Sequence, residues 1–287
     1  MTLNMISIII NCYNGEKFLK KALKSIQYQT YNNWEVIFWD NISSDNSALI
    51  LKSFNDKRFR YYLSKQHDLL YAARNKAIKK AKGNFIAFLD VDDFWHPKKL
   101  EKQILLFHDK EVGAVYSNFW FKDEEKRIIK RFSNFKLPSG YIKDSLIKKY
   151  QVGLLTLMIR KEAFSNTGFN NKFHIIGDFD LCIKLSLKWK FAVINECLAT
   201  YRWHGNNESI KNVLLQAEEL KIWQKNLFKH LTKNNLKHIN DKILRINFNY
   251  ELKLKQYRKC FDIIHKMNIY LNKIKSFIQI IIFFIRE

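Results

Sequence analysis

The stretch "NFIAFLDVDDFWHP", residues 84–97, decides how this chain is read. An apolar run of strand length ends in three aspartates, Asp90, Asp92 and Asp93, in a protein whose formal net charge is +23. Carboxylates this close repel one another, and burying them together is costly unless a cation offsets the charge. A hard divalent ion such as Mg²⁺ or Mn²⁺ meets that need with one or two carboxylates, filling its other positions with water and substrate phosphates. By itself the motif matches an acidic turn, or a cap for the helix after "FWHP", more often than a metal site. Its surroundings have to decide.

Working outward, strands alternate with helices. "MISIIIN", "WEVIFWD", "RFRYYLS" and "NFIAFLD" have strand length and composition. Between them, "EKFLKKALKSIQYQ" places Phe18, Leu19, Ala22, Leu23 and Ile26 on one helical face. "SALILKSF" is a second helix, and "LLYAARNKAIKKAKG" a third, closed by Gly83. This order implies an α/β fold, Rossmann-like, with a mostly parallel sheet and helices on both faces. Such sheets bind ligands at the carboxyl ends of their strands. Two ends carry an aspartate, Asp40 and Asp90, so the acidic motif lies in a crevice with a second carboxylate.

Past residue 112 the pattern loosens. "VGAVYSNFWF" and "RIIKRF" read as a hairpin, "LLTLMIRKEAF" as a strand running into a helix, and "FAVIN" as a strand. "DFDLCIKLSLKW" reads as an amphipathic helix with Phe179, Ile183 and Leu187 on one face. Asp178 and Asp180 open it, and an i, i+2 pair does not share a helix face, so at most one looks into a site. The domains are expected at 1–209 and 210–287, the latter a helical C-terminal extension. Residues 211–287 hold sixteen Lys and Arg against six Asp and Glu, with Lys221, Lys225, Lys229, Lys233 and Lys237 as an i, i+4 stripe.

The four cysteines form no CxxC pair and read as reduced thiols. No basic leader precedes the first strand, so no secretion signal is expected and the location reads as cytoplasmic. No run approaches the roughly 18 apolar residues that span a bilayer. The nearest, "FIQIIIFFI" at Phe277–Ile285, has Lys266, Lys273, Lys275 and Arg286 around it. It suits a helix lying on the inner membrane face against anionic lipid, or one docked on the protein's own core or a second subunit.

In order and spacing, "SIIINCYNGEKFLKKALKSI", "WEVIFWDNISSDNS", "ARNKAIKKAKGNFIAFLDVDDFWHPKKL", "GDFDLCIKL" and "YRWHGNNES" resemble the family 2 inverting glycosyltransferases of the GT-A fold. The resemblance covers residues 5–209. It implies a nucleotide-sugar donor, UDP-linked, with Asn11, Tyr13 and Asp40 at the base and Tyr13 stacking on it. Arg74 approaches the base or diphosphate. Asp92 and Asp93 hold the ribose and the metal–diphosphate, and Asp178 is the general base. The acceptor is then a saccharide or lipid-linked saccharide of envelope-glycan synthesis. Apart from the resemblance, His204 in "YRWHGNNES" is placed to reach a phosphate or metal, although a lone histidine is more often structural. The chain departs from the family at Asn11 and Cys12, where Pro-Thr or Pro-Val is usual. It also has Asn41 and Ile42 in place of an acid and a glycine, and Gly177 in place of the glutamate before the base. The first two bear on how the base fits, the third on rate and acceptor fit.

Three rival readings are weaker. A nucleotidyltransferase wants a glycine-rich phosphate loop, and "NCYNGEKF" holds only Gly15. A non-catalytic saccharide- or lipid-binding module is separated by metal-dependent donor turnover. Nucleic-acid binding rests on charge and aromatics, and the acidic crevice opposes it.

Overall fold

The computed structural model describes residues 4–205 and 207–286. Residues 1–3, where the leader reading partly falls, and the side chains of residues 283–286, where the tail reading partly falls, lie outside the described residues.

Nine strands form one sheet: β1 (Ile6–Cys12), β2 (Trp34–Asp40), β3 (Phe59–Leu63), β4 (Phe85–Phe88), β5 (Phe94–Trp95), β6 (Val112–Asp123), β7 (Ile128–Arg131), β8 (Met158–Arg160) and β9 (Lys190–Trp203). Their order is β3-β2-β1-β4-β8-β6-β9-β5, with β7 added beside β6. The pairs among β1, β2, β3 and β4 are parallel. β8 is antiparallel to both β4 and β6, and β6 runs parallel to β9. The sheet is therefore mixed, with its longest pairings parallel and the antiparallel ones short. Strand–helix alternation, which enforces parallel pairing, ends after β4, and later strands join by a hairpin and by antiparallel insertion.

The helices of this part are α1 (Glu16–Gln27), α2 (Ser47–Lys52), α3 (Leu70–Ile78), α4 (Lys99–Leu105), α5 (Lys143–Lys148), α6 (Lys161–Ser165) and α7 (Gly177–Ser186). β1 is buried on both faces, which is why it reads as an unbroken apolar run. Leu19, Leu23 and Ile26 of α1 pack on Ile6, Ile8 and Ile10 in one core cluster. α3 stops at Ile78, five residues before Gly83. Gly83 does not cap it. A Cβ there would meet Met5 O at 2.6 Å, so the glycine lets the chain press against β1. α7 is buried almost all round rather than amphipathic, and Leu187 lies just past its end, exposed.

One compact unit takes Met1–Leu146 and Gln151–His204, and the second takes Ile147–Tyr150 and Gly205–Glu287. The second holds α8 (Glu208–Lys211), α9 (Val213–Asn226), α10 (Lys233–Lys253), α11 (Tyr257–Lys266) and α12 (Tyr270–Arg286). The expected lysine stripe is broken. Lys221 and Lys225 lie on α9, whereas Thr232 starts a new helix by accepting from Asn235 N, with the Asn235 side chain returning to Thr232 N. Phe248, Leu252, Cys260, Ile264, Met267 and Ile280 form this unit's core. Buried Asp241 accepts from the N–H groups of Asn268 and Ile269 at 2.7 and 2.8 Å and so fixes the entry to α12. α12 seats Ile280 inward and leaves Phe277, Ile278, Ile281 and Ile282 exposed. All four cysteines are free.

Candidate active site

The acidic stretch leaves β4 as a tight turn. Leu89 N still donates to Ile9 O, then Asp93 N donates back to Asp90 O at 3.1 Å. The aromatic residues that follow pin this turn from behind. Phe94 and Trp95 pair with Thr200 and Ala199 of β9, and Trp95 Nε1 donates to Leu155 O at 2.7 Å. Asp93 Oδ1 accepts from Arg202 N at 2.9 Å and is 2 % exposed. Asp90 forms an ion pair with Arg74, and Asp92 Oδ2 lies 3.1 Å from His204 Nε2. Of the three carboxylates Asp90 is the most open, Asp92 is partly open and Asp93 is sealed, so of the pair expected to hold the ribose and metal–diphosphate only Asp92 presents its carboxylate to the crevice. A backbone N–H of β9 claims Asp93.

Burial, and then the charge of Asp90, pushes the Asp92 carboxyl up. Burial, and then Asp92 and Asp90, pushes Asp93 well up. A cation beside Asp92 would relieve that repulsion. Asp92 and His204 offer it one carboxylate and one imidazole. Among the described residues no three His, Cys, Asp or Glu side chains gather at one point. The donor set therefore fits an ion that completes its shell with diphosphate oxygens and water. The ring of His204 stacks on Phe18 of α1, with centroids 5.1 Å apart, which fixes its plane.

Arg74 joins this turn to the opening of α7. Burial acts most strongly and opposes its charge, but the charge and hydrogen bond of Asp90 together with Tyr71 and Asp178 more than offset it, so the guanidinium stays protonated. The guanidinium sits 5.2 Å from the centre of the Tyr71 ring, one turn earlier on α3. Tyr71 O–H contacts both Ile175 O at 3.2 Å and Asp178 Oδ1 at 3.4 Å. Burial first, and then the charge of Asp178, holds the Tyr71 phenol well above its ordinary range, so it stays a donor. Asp178 Oδ1 also accepts from Phe179 N at 2.8 Å. Asp180 points elsewhere, buried and paired with Lys184 at 2.6 Å. Gly177 has a direct cause: a Cβ there would lie 2.4 Å from carbons of the Tyr71 ring.

The strand ends β1 and β2 supply the other side. Tyr13 is 56 % exposed and meets the His67 ring edge-on at 4.5 Å, an open aromatic surface. Asp40 ends β2 but is 1 % exposed, its oxygens taken by Ser43 N at 2.7 Å and Tyr61 O–H at 2.8 Å. That contact, after burial, pushes the Tyr61 phenol up to about 12. Both amide atoms of Asn11 are sealed and without a hydrogen-bond partner. Tyr13 is thus the one of the three that faces outward, while Asn11 and Asp40 lie behind it.

Ile42 stands where the family carries glycine, and its φ of +68° explains the glycine. A β-branched residue there costs on the order of 1–2 kcal/mol. Ile42→Gly is expected to raise stability by about 1 kcal/mol after the unfolded-chain entropy of glycine is subtracted, or a few degrees in Tm. A thermal melt checks it, and a lower Tm would mean that Ile42's contacts outweigh the strain.

Tyr71 thus links Arg74, paired with Asp90, to Asp178, while Asp92 and His204 contact each other in the turn that Asp90 opens. Sequence reasoning missed Tyr71, His67 and Arg202. Tyr71 stands one turn before Arg74 in "LLYAARN", and Arg202 is quoted in "YRWHG" but acts through its backbone N–H, which no side-chain pattern reveals.

Residues 7–182 match the family model described as Glycosyl transferase family 2. An Escherichia coli protein named UDP-Glc:alpha-D-GlcNAc-diphosphoundecaprenol beta-1,3-glucosyltransferase WfgD is 32 % identical over 165 residues, 58 % of this chain and 64 % of that one. A Bacillus subtilis protein, the putative teichuronic acid biosynthesis glycosyltransferase TuaG, is 30 % identical over 71 % of this chain and 81 % of its own. Among solved structures, S. aureus TarS 1–349 in complex with UDP-GlcNAc superposes with a TM-score of 0.69 at 18 % identity, covering 90 % of this chain and 79 % of that chain. The fold is accordingly that of the GT-A glycosyltransferases, with added C-terminal helices.

Proposed function

The chain belongs to glycosyl transferase family 2, and we propose that it transfers a sugar from a nucleotide-diphosphate donor to a saccharide acceptor with inversion. The observation that carries this is the linked set Asp178–Tyr71–Arg74–Asp90 beside Asp92 and His204, at the carboxyl ends of parallel strands. Arg74 and the Tyr13 surface would receive the diphosphate and the base, and the sealed Asn11 and Asp40 would shape the base pocket from beneath. Asp178 takes the proton of the attacking hydroxyl. No protein nucleophile is needed, because the acceptor attacks opposite the leaving group. When bound, a divalent cation, Mg²⁺ or Mn²⁺, neutralises charge on the departing diphosphate. Asp92 and His204 would hold it, while Asp93 locks the turn onto β9.

A UDP-linked donor and a lipid-linked or envelope-glycan acceptor are supported by what the E. coli and B. subtilis relatives are named for. A membrane-bound acceptor also suits α12, whose exposed Ile278 and Ile281 accompany Lys273 and Lys275. Among the described residues no helix is long and apolar enough to cross a membrane.

The test is a panel of nucleotide sugars assayed with Mg²⁺, with Mn²⁺ and with chelator. Turnover of at least one UDP-sugar is expected only with metal. Asp92→Asn should lower it about a hundredfold and raise the metal concentration needed for half activity. Full turnover in chelator, or an unchanged metal requirement in Asp92→Asn, would remove the metal assignment.

A further inference from the structure

The β6–β7 hairpin has no part in the site, yet it carries exposed apolar side chains. Trp120, Ile128, Ile129, Phe132 and Phe135 are all open to solvent, Ile129 at 59 % and Phe135 at 82 %. Lys126, Arg127, Lys130 and Arg131 stand among them, exposed, and Lys136 follows. Of the nearby acids, Asp123 is buried capping the turn, where it accepts from Glu125 N and Lys126 N. Glu124 is engaged by Lys122 and Arg202 at 2.8 and 3.0 Å. Glu125 is exposed in the turn, and against Lys126, Arg127, Lys130 and Arg131 it leaves the outward charge net positive.

The hairpin is rigid at its root. Phe119 stacks on Phe132 at 4.4 Å, and Asn118 Nδ2 donates to Ser133 O at 2.7 Å. Consecutive strand residues point to opposite faces, so Ile128 and Ile129 lie on different sides. In the register, Ile129 opposes Lys122 and Arg131 opposes Trp120, which puts Trp120 and Ile129 on one face and Ile128 and Phe132 on the other. A ribbon apolar on both faces cannot bury both against its own domain. A protein partner covering one face would leave the other wet. Immersion in a headgroup layer covers both, and basic residues among apolar ones are the composition that an anionic interface favours.

We propose that the β6–β7 hairpin is a lipid-docking element that seats the catalytic unit on an anionic phospholipid surface. Its turn end adjoins the site, since Glu124, just past β6, donates its N–H to Trp203 O and His204 is the next residue. A bilayer held there lies beside the metal-binding edge. The docking stands apart from the sugar-transfer reading, because vesicle binding needs no donor.

The experiment sediments the full chain with vesicles of phosphatidylcholine alone, and of phosphatidylcholine and phosphatidylglycerol in equal parts. Binding is expected to the anionic vesicles. It should fall about tenfold in Ile128→Ser with Ile129→Ser, and about tenfold in Lys126→Gln with Lys130→Gln. Tm and transfer to a soluble acceptor should not change in either. The loss should persist in a chain whose α12 carries Ile278→Ser and Ile281→Ser, which separates the hairpin from the tail. Undiminished binding by both hairpin variants, or equal binding to uncharged vesicles, overturns the proposal. So does a dimer in solution that the isoleucine pair alone dissolves, which would make a second copy the occupant.

Discussion

Asp178→Asn should lower sugar transfer by about a thousandfold while leaving donor affinity within about twofold. The amide keeps the shape of the carboxylate, and its oxygen can still accept from Phe179 N and Tyr71 O–H, which now lie 2.8 and 3.4 Å from Asp178 Oδ1. It cannot take the acceptor's proton. The loss should therefore fall on turnover, read by initial rates, and not on binding of the nucleotide sugar, read by titration calorimetry with metal present. Asp180→Asn is the control. That carboxylate is buried against Lys184, so its loss should lower Tm more than turnover. Transfer by Asp178→Asn within tenfold of the unaltered chain would move the base elsewhere.

The first half of this site is legible in the sequence because of how parallel sheets are built. β1, β2 and β4 are covered on both faces and read as apolar runs, and polar residues at their ends have nowhere to go but the crevice. The second half follows no such rule. β9 spans Lys190–Trp203 but is only partly buried, so just "FAVIN" stands out within it. The inward turn of Asp93 depends on a backbone N–H 109 residues away. A three-aspartate motif shows that charge must be offset, but not which oxygen meets solvent and which meets β9. The lysine stripe misled for a local reason: five lysines at perfect spacing do not make one helix when Thr232 and Asn235 start a new one between them.

Gly177 is where a departure from the family becomes a structural requirement, and Gly177→Glu, which restores the family's usual residue, should abolish activity. The Tyr71 ring already fills the space, with ring carbons 2.4 Å from the first atom of any side chain at 177. Neither neighbour can yield easily. Tyr71 is tied to Ile175 O and lies against Phe169, with ring centroids 5.1 Å apart. Gly177 is the first residue of a helix buried almost all round. Overpacking of this kind costs about 3 kcal/mol or more, or about 10 °C in Tm for a chain of this size. It also pushes Asp178, the next residue, off its contacts. The two positions must then be coupled: Tyr71→Ala combined with Gly177→Glu should be no less stable than Tyr71→Ala alone, because the clash disappears with the ring. Thermal melts of the two single variants and the double measure that coupling. Additive losses would mean that something other than the Tyr71 ring demands the glycine. A stable, active Gly177→Glu would mean that the ring moves aside freely and does not hold Asp178 in place.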